Sequence, residues 1–122
     1  MTSPSDDLFR FIGSSFRSVW SLELLLLLKG DPRTWSRDEL ITALRASELV
    51  VNKAIEELLA AGLISIEGDQ AVYQPASAGV RKAVDEVQKL YAARPDAVRR
   101  AIVSSASSGA TAFADAFRLR KD

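Results

Sequence analysis

Neither histidine nor cysteine occurs among the 122 residues, and this limits the chemistry that the chain could perform. Their absence removes the commonest general base, the commonest transition-metal ligand and every thiolate nucleophile. The sequence also lacks a glycine-rich phosphate loop and a nucleophile placed beside a base. A hydrolase built from carboxylates alone is still chemically feasible, but we predict a protein that is not an enzyme and uses no metal or cofactor.

The composition is that of an ordinary globular domain, with 48% hydrophobic and 26% charged residues and a formal net charge of zero. The longest apolar run, Leu24 to Leu28, is far shorter than the roughly 20 residues that a membrane helix needs. The first residues, MTSPSDD, are acidic and polar, unlike the basic start of a signal peptide. We therefore predict a cytoplasmic domain that does not enter a membrane.

Local signals divide the central part of the chain into two helices and a hairpin. Ser36 and Glu39 have the spacing of a capping box at the start of the first helix. Ser47 is a good N-cap for the second helix, and Gly62 suits its C-terminal end. The pair Gly68-Asp69 can form a two-residue type II′ turn between two short alternating strands. The pattern predicts helix, tight turn, helix and hairpin in that order.

This order resembles the winged helix-turn-helix family, as found in the MarR- and ArsR-like bacterial transcriptional regulators. The resemblance covers about residues 16 to 75, and these residues carry it: Leu44, Ser47, Val51, Ile55, Leu58 and Ala61-Gly62-Leu63-Ile64. It implies a mainly α fold with a small β-hairpin wing and additional C-terminal helices. Arg33-Thr34-Trp35 would form the short third strand, with Trp35 facing inward. The chain would divide into an arm (1–13), the winged helix-turn-helix (14–76) and a C-terminal helical extension (77–122).

The resemblance also implies a DNA site on the second helix, residues 47–61, whose N-terminal half would enter the major groove. Asn52 could pair with adenine and Lys53 with guanine or a phosphate, while Leu49 or Val50 could touch a thymine methyl group. Three flanking residues would hold phosphates: Arg37, Arg45 and Ser47. The predicted function is that of a transcriptional regulator that binds double-stranded DNA.

The local charge favours a different function. Residues 29–74 hold five basic against eight acidic residues, a net charge of −3, and the predicted wing tip Glu67-Gly68-Asp69 has no basic residue. DNA phosphates would repel such a surface. The alternative is a winged-helix module for protein–protein interaction, presenting Leu49, Val50 and the acidic wing.

Positive charge is concentrated in residues 75–122, which hold nine basic and five acidic residues. A solvated helical surface, a contact with flanking DNA and a docking peptide around Phe113 and Phe117 are the three interpretations. In the last case, paired aromatic residues followed by Arg118, Arg120 and Lys121 would suit a groove on a protein partner.

A leucine-rich helix is predicted over residues 14–29. It is apolar on nearly all sides, so two of its faces must be buried against other elements. The C-terminal helices, predicted over 77–94 and 95–103, could cover it within one chain, but a homodimer is the favoured prediction. The predicted interface comprises these residues: Leu22, Leu25, Leu26, Val80, Val84, Val87, Tyr91, Phe113 and Phe117.

The N-terminal residues leave a similar choice. Met1 to Asp7 are predicted to be disordered, and Leu8, Phe9, Phe11 and Ile12 form an apolar cluster before Gly13. This cluster could pack back onto the core or dock onto a partner subunit.

Overall fold

Serine residues begin four of the helices in the computed structural model, which describes residues 4–105 of the chain. In each case the serine hydroxyl accepts a hydrogen bond from the backbone N–H three residues later, at 3.1–3.2 Å. The four N-caps are Ser18, Ser36, Ser47 and Ser77. The Glu39 carboxylate accepts a hydrogen bond from the backbone N–H of Ser36, so the predicted capping box is confirmed.

The described chain is mainly helical, with one small antiparallel sheet. The helices are α1 (Pro4–Ser15), α2 (Val19–Gly30), α3 (Arg37–Leu44), α4 (Glu48–Ala60), α5 (Ala78–Ala93) and α6 (residues 95–105, where the described part ends). The strands are β1 (Trp35–Ser36), β2 (Ile64–Glu67) and β3 (Gln70–Tyr73), in the spatial order β1-β3-β2. The prediction of a mainly α fold with a small hairpin is thus confirmed.

The register of the sheet fixes the hairpin between α4 and α5. Glu67 pairs with Gln70 across a two-residue turn in which Gly68 has a φ of +61°. Gly62, with a φ of +74°, directs the chain from α4 into β2, and a Cβ there would lie 3.3 Å from the Cβ of Ala76. Both glycines therefore have a left-handed backbone conformation, which residues with a side chain rarely adopt.

The start of the chain differs from the prediction. Residues 4–7, expected to be disordered, are the first turns of α1, which continues through Gly13 to Ser15. Ile12 is fully buried, and Leu8, Phe9 and Phe11 pack against the core from the surface of one chain. The cluster therefore packs back onto the core, the first of the two alternatives.

The second helix also begins later than predicted. A single helix was expected from residue 14, but the chain leaves the helical path at Phe16 and α2 begins after its N-cap Ser18. Phe16 is 1% exposed and contacts Phe11 edge to face, with ring centroids 6.3 Å apart. The break lets this ring enter the core while α1 turns away from α2.

One hydrophobic core joins all the elements, and α2 lies at its centre. Helix α4 packs along one side of α2. On another side, Lys29 contacts the α5 residues Asp85 (3.1 Å) and Gln88 (2.6 Å), and Tyr91 donates to Glu23. The leucine-rich helix is therefore covered within one chain.

Candidate nucleic-acid interface

The predicted DNA site lies on the N-terminal half of α4, which includes the exposed apolar side chain of Leu49. Ser47, Leu49 and Lys53 are exposed, while Val50 and Asn52 are half-buried. The Leu49 side chain is 78% exposed, although the same helix buries Val51, Ala54, Ile55 and Leu58. All five predicted site residues at the start of α4 are therefore at least partly exposed.

Arg37 and Asn52 form a specific contact on this surface. The Nε of Arg37, at the start of α3, donates to the Oδ1 of Asn52 on α4 at 2.8 Å. No residue within 4–105 takes up the amide N–H groups of Asn52 or the second lone pair of its Oδ1, which leaves them for another partner. Arg37 thus orients the side chain that was predicted to contact adenine.

The turn between α3 and α4 depends on Arg45. This residue is the C-cap of α3 and has a left-handed backbone, with a φ of 54° and a ψ of 41°. Its N–H donates to the carbonyls of Ile41 and Thr42, which closes the end of α3. The side chain of Arg45 is exposed, beside the start of α4.

Two further residues, which the sequence analysis did not indicate, lie beside the site. A hollow of about 230 Å³ beside α4 is lined by Arg17 and Trp20 as well as by Val50 and Lys53. Arg17 is exposed and Trp20 is 42% exposed. Their position follows from the break before α2, and the Ser18 N-cap was the local signal that could have revealed it.

Glu57 lies at the inner end of the same hollow. Burial raises the pKa of its carboxyl group, while the neighbouring cations Lys53 and Arg17 oppose that rise. Its Oε2 atom is buried without a hydrogen-bond partner among the described residues. The site thus contains one carboxylate that is poorly solvated in its charged form.

Other charges around α3 are already engaged. Arg33 contacts Asp31 (3.1 Å) and Glu39 (2.9 Å), and its guanidinium carbon lies 3.8 Å from the centre of the Trp35 ring. The backbone N–H of Ser36 and then Arg33 hold the pKa of the Glu39 carboxyl group below its usual value. Arg33 is therefore committed to a local network.

The hairpin tip carries the acidic pair that the sequence analysis identified, since Glu67, Gly68 and Asp69 are all exposed. Trp35 is 7% exposed and faces inward as predicted, donating its Nε1–H to the Asp31 carbonyl at 3.0 Å. Strand β1 begins at Trp35, so the expected third strand starts two residues later than the predicted Arg33.

Four of the predicted interface residues lie in the interior of a single chain. Leu22, Leu25, Val84 and Val87 are 0% exposed, because other elements of the same chain cover them. These side chains present no surface to a second copy.

The other predicted interface residues are either half-buried or outside the described part of the chain. Leu26, Val80 and Tyr91 are half-buried, and Tyr91 already donates to Glu23. Burial, followed by that hydrogen bond, raises the pKa of the Tyr91 hydroxyl group. Phe113 and Phe117 lie outside the described residues. The homodimer remains a prediction, without the argument from uncovered leucines.

No single helix within residues 4–105 has both the length and the hydropathy to cross a membrane; α1 and α2 reach them only as a pair bent by 99°. No group of three or more acidic residues in that part of the chain could hold a metal ion. Comparison of the chain with protein-family models, with curated proteins and with solved structures finds no match.

Proposed function

We propose that the chain is a DNA-binding transcriptional regulator of winged helix-turn-helix type, with α4 as its recognition helix. The observation that carries the proposal is the exposed N-terminal half of α4, which places Asn52 and Lys53 beside Arg37 and Arg17. Such a helix offers groups for base edges, and its flanks offer cations for phosphates.

The topology supports this assignment. A helix, a short strand, two helices and a hairpin follow one another from α2 to β3, and the first strand pairs with the last. This arrangement packs α3 against α4 and leaves Leu49 and Lys53 exposed on the outer side of the N-terminal half of α4. The likeness to MarR- and ArsR-like regulators rests on the same elements.

Each cation has a distinct proposed role. Lys53 contacts guanine or a phosphate, and Asn52, held by Arg37, contacts adenine through its free amide hydrogens and remaining lone pair. Arg17, Arg45 and the Ser47 hydroxyl contact phosphates on either side. This assigns the base contacts to α4 and the positioning contacts to its neighbours.

One observation favours a second function. Leu49 is 78% exposed, and the exposed hairpin tip carries Glu67 and Asp69 without a basic residue. Exposed apolar and acidic side chains suit a basic, partly apolar protein surface better than a phosphate backbone. The second candidate is therefore a protein-interaction module that uses these exposed groups.

The test is a fluorescence-anisotropy titration of the full chain against a pool of duplex DNA at low and moderate salt, with its solution mass measured alongside. We expect binding that weakens steeply with salt, because cations released from phosphates drive it. Loss of the asparagine contact in Asn52→Ala, combined with Lys53→Ala, should remove at least about 1–3 kcal/mol of binding free energy, roughly 5- to 150-fold in Kd.

Lys89→Ala is the matched control. Lys89 is an exposed lysine on α5 whose only ion pair among the described residues is a long contact with Glu86 at 3.9 Å. Its loss removes the same charge as Lys53→Ala but leaves α4 intact, so DNA binding should change little. Absence of binding at low salt, or an equal loss in the control, would contradict the DNA proposal; in the interaction module, Asn52→Ala with Lys53→Ala would leave partner binding nearly intact.

A further inference from the structure

A groove runs between α1 and α5, on a face that the proposed DNA site does not use. Its volume is about 480 Å³, and its floor is formed by Leu8 and Phe11 from α1 and by Gly79 and Ala83 from α5. Leu8, Phe11 and Ala83 are half-buried, and Gly79 contributes no side chain. The volume lies within the range of about 300–1,000 Å³ that holds ligand-sized groups in proteins.

The described chain ends close to this groove. Ser105, at the end of α6, donates its hydroxyl to the carbonyl of Gly13 at 3.3 Å. A Cβ at Gly13 would lie only 2.7 Å from the Ser105 Oγ, so α6 approaches α1 closely there. Phe11, at the near end of the groove floor, is two residues from Gly13 on the same helix.

The rest of the chain has the composition of a ligand for such a groove. Residues 106–122 contain Phe113 and Phe117, four positions apart, which places both on one face if the segment is helical. Four alanines surround them, and alanine has the highest helix propensity. We propose that residues 106–122 dock in this groove of the same chain, with Phe113 and Phe117 against Leu8 and Phe11.

The charges at the groove agree with this occupant. The rim carries the carboxylates of Asp7 and Glu86 and the ammonium group of Lys82. Among residues 4–105, the ion pairs of these two carboxylates are long contacts with exposed cations on their own helices, at 4.0 Å and 3.9 Å. Three cations follow the second phenylalanine, at Arg118, Arg120 and Lys121. They can approach the two carboxylates once the rings are seated.

Chain length favours docking within one molecule over docking onto a second copy. Phe113 is eight positions after Ser105, and an extended chain over that many positions reaches about 26 Å. Leu8 lies five residues from Gly13 along α1, or about 8 Å at 1.5 Å per residue. A tethered segment within reach has an effective concentration in the millimolar range, above that of a separate molecule in dilute solution.

The absence of cysteine permits a direct test by disulfide trapping in the full chain. One variant combines Lys82→Cys at the rim with Ala116→Cys in the segment. The control combines Ala116→Cys with Glu48→Cys, an exposed position on α4 outside the groove. Both are equilibrated in a glutathione redox buffer, and the oxidised fraction and its mass are measured under non-reducing conditions, with circular dichroism to verify folding.

We expect an intramolecular disulfide in the Lys82→Cys variant. The ratio of oxidised to reduced protein should be about tenfold higher than in the control, because docking raises the effective concentration of the thiol pair. Adding Phe113→Ser and Phe117→Ser should abolish that preference without changing the helical content. Equal oxidation of the two pairs, disulfide-linked dimers, or a preference that survives loss of both phenylalanines would each overturn the proposal.

Discussion

Helices α2 and α4 have similar lengths, 12 and 13 residues, and both are rich in leucine, but they are used differently. Helix α2 buries Leu22, Leu24, Leu25 and Leu28 completely. Helix α4 buries one stripe and exposes Leu49 to 78%. The first helix is enclosed by the fold, whereas the second is held by one side and presents the other.

The difference shows that position in the packing, not residue type, decides what a leucine contributes. A buried leucine contributes the transfer free energy of its side chain and its contacts with neighbours. An exposed leucine contributes little to folding and is available to a partner. The same substitution should therefore have a large effect on stability when made in α2 and a small effect when made at an exposed position of α4.

The largest effect is expected from a matched pair of alanine substitutions, Leu25→Ala in α2 and Leu49→Ala in α4. Leu25 is 0% exposed, so its truncation should lower the free energy of unfolding by about 2–5 kcal/mol. Leu49→Ala removes the same atoms from a solvated position and should change it by less than about 0.5 kcal/mol. Urea unfolding followed by circular dichroism measures both. Equal losses would show that Leu49 is covered in solution, which would contradict the comparison.

The features of these helices that the sequence predicts are those set by neighbouring residues. The Ser36, Ser47 and Ser77 caps and the positive φ of Gly62 involve groups a few residues apart, so their types and spacing suffice. The exposed residues of α4 were predicted for a related reason, because its buried stripe leaves only one set of positions outside.

The features that the sequence did not predict depend on distant residues. Leu22 and Leu25 were assigned to an interface because nothing near them in the chain could cover them, whereas the elements that pack against α2, among them α4 and β3, follow it later in the chain. The contact of Arg37 with Asn52 depends on the angle between α3 and α4, which the left-handed Arg45 sets. The late start of α2 was missed because apolar residues continue through the break at Phe16.

A smaller effect is expected at the start of α4, where the fold and the proposed site share a residue. Ser47→Ala removes the bond from the Val50 N–H, now 3.2 Å long, and should lower the free energy of unfolding by about 1 kcal/mol. Ser47→Asn keeps a capping oxygen and should restore most of that loss. Thermal unfolding of the two variants measures the difference. An equally large loss in both would mean that the cap does not hold the exposed half of α4 in place.

The smallest effect concerns Glu57, a half-buried carboxylate on α4. Burial raises the pKa of this carboxyl group in the folded state, so the folded chain binds the proton more tightly than the unfolded chain does. Stability contributed by the proton is then present at low pH and is lost as the pH rises through the folded-state pKa. Glu57→Gln should therefore raise the free energy of unfolding at pH 7, and the gain should disappear as the pH falls toward about 4, where unfolded glutamate is protonated.

Glu56→Gln is the control for this substitution, because it removes the same charge from an exposed position on the same turn of α4. Urea unfolding at several pH values between 4 and about 7 compares the two variants over the range in which carboxyl groups titrate. A lower stability of Glu57→Gln at pH 7 would mean that attraction to Lys53 and Arg17 outweighs the cost of burial. In that case Glu57 would hold the two cations in place beside α4, and its loss should also change the proposed binding to DNA. If the cost of burying the Glu57 carboxylate outweighs its attraction to Lys53 and Arg17, Glu57 restrains those two cations only weakly. They could then turn toward the phosphates of the proposed DNA partner.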